Sequence, residues 1–148
     1  MTERSMKPTV GQSVIAVDTA EEIGSVKHFV VSQDASRVLR LHIDGRKKNA
    51  VFAEWDTLES FGADRVMVGH AEDPSGSDDD RDLAQAKGKF ELLGSRVLDT
   101  AGFEHGQVED ASFDSDSGAI LGIVTSEGVR IDKASVHSLG SYAVVVDA

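Results

Sequence analysis

Apolar residues along this 148-residue chain fall in short runs of period two, separated by turn-forming polar residues. Val38-Leu39-Arg40-Leu41-His42-Ile43 places apolar side chains at Leu39, Leu41 and Ile43, the alternation of a strand with one buried face. Ile120-Leu121-Gly122-Ile123-Val124 reads in the same way. Gln33-Asp34-Ala35-Ser36 and Asp114-Ser115-Asp116-Ser117-Gly118 precede these runs and are rich in side chains that bond their own backbone. Gly45 and Gly128 end the runs, where a turn of positive φ is expected. Strands separated by turn signals roughly every ten residues predict a small barrel or sandwich. Trp55–Phe61, matched by Lys133–Leu139, is read as a short turn or helical segment that plugs one end.

The pattern occurs twice, over 10–69 and again over 93–147, and self-similarity of this kind sets the architecture. Gly11 and Val14 match Gly94 and Val97, 83 positions later; Gly24 and Val26 match Gly106 and Val108, 82 later. Val51, Leu58, Gly62, Val66 and Val68 match Val129, Val136, Gly140, Val144 and Val146, 78 later. The offset changes only near 18–23 and at the hairpin tip around 44–49, and loops tolerate insertions that strands do not. The chain is therefore expected to be all-β, with two small barrels: a first repeat over 8–70, an acidic linker with a short helix over 71–90, and a second repeat over 91–148. Each unit is of about 60 residues, near the lower bound for independent stability, so it gains by docking on its neighbour or on a second copy. Val144-Val145-Val146, apolar on both faces, predicts a strand covered by the other repeat or by another subunit. A homodimer is expected on that ground.

Between the repeats, residues 73–82 are linker-like in their Pro, Gly, Ser and charge. Ser77 and Asp80 then resemble a helix N-cap, and Leu83, Ala86, Phe90 and Leu93 recur at helical spacing, weakened by Gly88.

Charge narrows the partners. The net charge of −11 is divided unevenly, −1 over residues 1–70 and −10 over residues 71–148. A field of that sign repels phosphate backbones and anionic headgroups, so nucleic acid is not the expected partner of the second half. The chain has no cysteine, which excludes disulfides and thiolate metal sites and fits a reducing compartment. Met1–Pro8 has no apolar core for a signal peptide, and no run approaches the roughly 20 apolar residues of a membrane span. A soluble cytoplasmic protein is expected.

The search for catalytic patterns returns negatives. Asp78, Asp80 and Asp82 alternate as in a calcium loop, but Leu83 stands where glycine is needed and Lys89 where the closing glutamate belongs. Asp114 and Asp116 fail similarly, with Gly118 one residue early and Thr125 at the close. His28, His42, His70, His105 and His137 have no metal-ligand spacing. Hydrolase elbow, Walker loop and dinucleotide fingerprint are absent. No catalytic residue, metal or cofactor is assigned. Candidate partner-binding residues are Arg46, Lys47 and Lys48 on a hairpin tip, Arg37 and Arg40 in the same β-ribbon, and Trp55, whose other reading is core cap of a small barrel.

Gly11-x-x-Val14, Ile23-Gly24-x-Val26, the alternating hairpin and Val51-Phe52-Ala53-Glu54-Trp55-x-x-Leu58 together resemble the PRC-barrel domain. Gly94-x-x-Val97, Gly106-x-Val108 and Val129-x-Ile131 through Val136 carry the resemblance a second time. It implies a small β-barrel in each half and no catalytic motif. The family includes the cytoplasmic domain of the photosynthetic reaction-centre H subunit and the C-terminal domain of a ribosome-maturation factor. The function expected is a non-enzymatic, self-associating protein-binding adaptor or scaffold. Two alternatives are an RNA- or ribosome-associated factor acting through the basic hairpin, and ligand binding or catalysis in a cleft between the barrels.

Overall fold

Short alternating runs bounded by Asp-, Ser- and Gly-rich turns make strand the predominant element. The computed structural model describes residues 2–45, 51–76, 83–84 and 89–148. Among these, strands β1 (Glu3–Ser5), β2 (Ser13–Ala16), β3 (Glu22–Val31), β4 (Val38–Gly45), β5 (Val51–Glu54), β6 (Leu58–Phe61) and β7 (Arg65–Val68) fill the first half. Strands β8 (Arg96–Asp99), β9 (Glu104–Asp114), β10 (Ile120–Thr125), β11 (Arg130–Asp132), β12 (Val136–Leu139) and β13 (Val144–Val146) fill the second. One four-residue helical turn, α1 (Met6–Thr9), seats the fully buried Met6. The fold is all-β.

The first sheet runs β5-β4-β3-β2-β7-β6, and the second runs β11-β10-β9-β8-β13-β12, with β1 paired to β9. Order and register correspond. Val14 lies opposite Val66 across the parallel pair β2–β7, as Val97 lies opposite Val144 across β8–β13. The Gly11 amide donates to the Val26 carbonyl and the Gly94 amide to the Val108 carbonyl, each glycine at positive φ.

The alternation in β4 is interrupted by a bulge. Val30 faces Arg40 but Val31 faces Val38, which leaves Leu39 as the extra residue and half-buried, while Val38, Leu41 and Ile43 are the buried apolar residues of the strand. Leu121 is the extra residue of β10, between the pairs Ile120–Phe113 and Gly122–Ser112.

Two further expectations are corrected. Gly45 is not a positive-φ turn residue. It is extended at the end of β4 opposite Gly24, and a Cβ added there would meet the Ile23 carbonyl oxygen at 2.8 Å, so close strand approach is what demands glycine. The segment Trp55–Phe61 is not a helical plug. Only Trp55–Thr57 forms a 3-10 turn, and Leu58–Phe61 is a strand paired to β7; Lys133–Ser135 and β12 divide in the same way. β13 is hydrogen-bonded on both sides, parallel to β8 and antiparallel to β12, and Val144 and Val146 are buried in the core cluster to which both sheets contribute, while Val145 on the other face is half-buried.

Where the predicted linker begins, the chain is tied down. Ser75 and Phe52 exchange backbone hydrogen bonds of 2.9 and 2.7 Å, and Ala71 rests on the core. Ser77 and Asp80 of the predicted helix start, and Ala86 and Gly88 of its body, lie outside the described residues; Leu83 and Ala84 are helical.

Buried side chains from both sheets join in one cluster. At its centre Phe113 of β9 meets Phe29 of β3, Phe61 of β6 and Trp55, with ring centroids 5.3, 5.2 and 6.1 Å away. Backbone bonds close the seam: the Val38 amide to the Gly118 carbonyl, the Ile120 amide to the Ser36 carbonyl, and the Leu139 amide to the Gln33 carbonyl. Arg4 reaches from β1 beside the second sheet to the Phe61 carbonyl of the first at 2.7 Å. Among the described residues no helix is long and apolar enough to cross a membrane.

Candidate functional site

Of the residues singled out from sequence, Arg37, Arg40 and Trp55 are described. Arg37 is exposed, its backbone in an isolated bridge to Ala119 across the seam. Arg40, on the outer face of β4, directs Nε to Glu54 Oε1 at 2.8 Å, so its charge is matched on the neighbouring strand. Arg46, Lys47 and Lys48 lie outside the described residues. Trp55 is half-buried: it stacks on Phe61 with centroids 5.3 Å apart and meets Phe113 edge-on, while Gly118 passes so close that an added Cβ would lie 2.9 Å from the ring. That is a seam-filling role.

The histidines find partners that linear spacing did not disclose. His28 and His42 stack at 5.4 Å, and His42 stacks on Phe52 at 5.2 Å. His28 Nδ1 lies 2.7 Å from Glu91 Oε1, which ties the chain entering the second half to the outer face of the first sheet. His42 is buried, its Nδ1 without a hydrogen-bond partner, and burial pushes its pKa down. His105 holds Asp99 at 2.6 Å and lowers that carboxyl's pKa, helped by the Phe103 amide. Among the described residues no group of three or more His, Asp or Glu side chains is placed to hold a metal ion.

A constellation not anticipated from sequence stands at one end of the second sheet. Arg96 on β8 lies opposite Gln107 on β9, and Tyr142 sits in the turn between β12 and β13. The Arg96 guanidinium lies over the Tyr142 ring, its Cζ 4.3 Å from the centroid, and its Nη1 donates to Tyr142 Oη at 3.0 Å. Tyr142 is 65% exposed, so the pair is held in place yet open to solvent. Together with Phe90, Glu91, Leu93, Gly94, Ser95 and Ser141 these three residues line a cavity of about 420 Å³.

The internal repeat makes a control for this site. The first sheet carries Ser13 opposite Ser25 where the second carries Arg96 opposite Gln107. Two residues before the matched valines Val66 and Val144, Asp64 stands in place of Tyr142. The same strand pairs therefore form without Arg, Gln or Tyr. The signal in the sequence was this departure from the repeat, at the chain's only tyrosine.

No curated protein matches the chain. The family model of the PRC-barrel domain matches residues 1–72, so that a PRC-barrel domain is found over a range that spans β1, α1 and every strand of the first sheet.

Proposed function

We propose that this chain is a protein-binding adaptor or scaffold module of two PRC-barrel-like units, and that it engages its partner through the Arg96–Tyr142 end of the second unit. The observation that carries the reading is Tyr142 itself: a large aromatic left 65% exposed, fixed beneath an arginine guanidinium beside a concave surface. Tyrosine and arginine are the side chains that most often dominate binding energy at protein interfaces, because each offers a large rigid contact with a polar end. A cation over an aromatic face also limits the motion of both, which lowers the entropy lost on binding.

The charge of the chain favours a basic partner, and the −11 balance would speed its encounter. Self-association belongs to the same reading, with sheet edges such as β11 as the contacting elements, and so does a cytoplasmic location.

The test uses the full chain as bait in native lysate, wild type beside Tyr142→Ala, with bound proteins quantified by mass spectrometry. The expected result is a partner retained by wild type and lost from the variant, and identical recoveries would overturn the reading. Light scattering of the free chain across the micromolar range should report a dimer.

A further inference from the structure

We propose that the cavity beside Arg96 and Tyr142 is a recognition site for the free C-terminal carboxylate of a partner polypeptide. The inference rests on the protein-binding reading and names the chemistry of what is bound.

Arginine presents five N–H donors in a planar fork that matches a carboxylate in two-point contact. In Arg96 the bond to Tyr142 uses Nη1, and among the described residues Nε and Nη2 make no hydrogen bond. Glu104 stands 3.8 Å from Nη1. That contact is long and solvent-exposed, of the kind that contributes little, so an incoming carboxylate in fork geometry displaces it at small cost. The Tyr142 ring meanwhile fixes where the fork is aimed.

The other walls suit the last residues of a chain. Gln107, opposite Arg96 in register, supplies an amide that can pair both groups of a peptide bond. Phe90 and Leu93 give apolar surface to a terminal side chain. The volume of about 420 Å³ lies within the range of roughly 300–1,000 Å³ found for small-ligand sites. Two or three residues fill it.

Charge selects the class of anion. One arginine in a half whose balance is −10 holds a single carboxylate, whereas a polyanion is repelled by the surrounding field. Glu91 on the cavity wall and Glu104 beside it favour Lys or Arg in the residues preceding the terminus.

The probe is a pool of acetylated pentapeptides, Lys-Lys-Ala followed by two randomised positions, with a free C-terminal carboxylate. A second pool is identical but amidated at the C-terminus. Each is titrated into the full ¹⁵N-labelled chain and followed by amide chemical shifts. The free-acid pool should move Gly94, Arg96, Gln107 and Tyr142 in a saturable manner, and the amidated pool should bind at least about tenfold more weakly. Arg96→Met should abolish the difference between pools. Arg96→Lys, which keeps the charge and loses the fork, should weaken the free acid several-fold while its spectrum stays folded.

Equal binding of the two pools, unchanged binding by Arg96→Met, or no shift at these four amides overturns the inference. If that happens while Tyr142→Ala still loses a protein partner, the adaptor reading stands without the carboxylate. If the free acid binds at Arg96 but Tyr142→Ala loses nothing from lysate, the adaptor reading falls instead.

Discussion

Phe61 in the first sheet and Phe113 in the second meet edge to face with centroids 5.2 Å apart, and the planes are inclined at 68°. Phe113 is fully buried and touches three aromatic rings that all belong to the other half of the chain. Removing it opens a cavity on both sides of the seam. Phe113→Ala should cost about 3–5 kcal/mol, a large part of the stability of a chain this size. Denaturant unfolding followed by Trp55 fluorescence and by circular dichroism checks this, and the two probes should give coincident transitions. If Phe113→Ala split them, with one half melting first, the two sheets would be energetically separate.

Gly118 tests the same seam from the backbone. Its φ of +80° is one that L-residues rarely adopt, and an added Cβ would meet the Trp55 ring at 2.9 Å and the Val38 carbonyl oxygen at 3.2 Å. Gly102, with φ of +91°, has open space around the same atom. Substitution by alanine at Gly102 should therefore cost only the left-handed penalty of about 1–2 kcal/mol. Gly118→Ala should cost more and should shift Trp55 emission, whereas Gly102→Ala leaves emission unchanged. Equal losses in the two variants would show that the ring yields freely.

Much of this architecture could be read from residue pattern. The offset of 83 linking Val14 to Val97 and that of 78 linking Val66 to Val144 turn up as the register of two parallel strand pairs. The turn before β4 was equally plain, because Ser32, Asp34 and Ser36 bond one another and their own backbone. What escaped depends on neighbours distant in sequence. Trp55–Phe61 carries no alternation that separates a 3-10 turn from a strand, and β7 decides the matter by pairing with Leu58–Phe61. Val144–Val146 pairs with β8 and β12 and turns Val144 and Val146 into the core that both sheets share, a placement set by neighbours that its own run of valines does not name. Arg96, Gln107 and Tyr142 span 46 positions, and only the order β9-β8-β13 brings them together.

The Asp34 turn should leave a signature in acid. Hydrogen bonds from Ser36 and then Ser32 hold the Asp34 carboxyl down to about 2, below its ordinary 3.8, with a smaller push from the charge of Lys133. A carboxyl whose pKa is depressed by folding binds fewer protons in the native state, so its contribution is complete above about pH 4 and is lost as pH falls toward 2. The side chain is exposed and screened by solvent, which limits the contribution to at most about 1 kcal/mol. Asp34→Asn should be less stable than wild type at pH 7 by that amount, and the difference should close below pH 2. Urea midpoints measured from pH 7 to pH 2 give the comparison; a gap that stayed constant would assign the loss to geometry, not to charge.

His42 carries the opposite kind of dependence. It is buried between His28 and Phe52 with an unpartnered Nδ1; burial, then the charges of His28 and Lys27, disfavour its protonation, and Asp44 opposes them weakly. The native state thus binds fewer protons at this ring than the unfolded chain, whose histidine titrates near 6.5. Stability from this residue is complete above that pH and declines as pH falls below it toward the lowered native value. Glu91 complicates the picture only through His28, to which it is hydrogen-bonded. His42→Phe keeps a flat ring against Phe52 and removes the buried nitrogen, a swap of similar volume that should change stability at pH 7.5 by less than about 1.5 kcal/mol. Between pH 7.5 and pH 5 the wild type should lose stability relative to the variant, because the unfolded wild type gains a proton that its native state resists. Unfolding curves at both values decide it, and parallel pH slopes for wild type and His42→Phe would show that His42 takes up its proton without penalty in the folded chain.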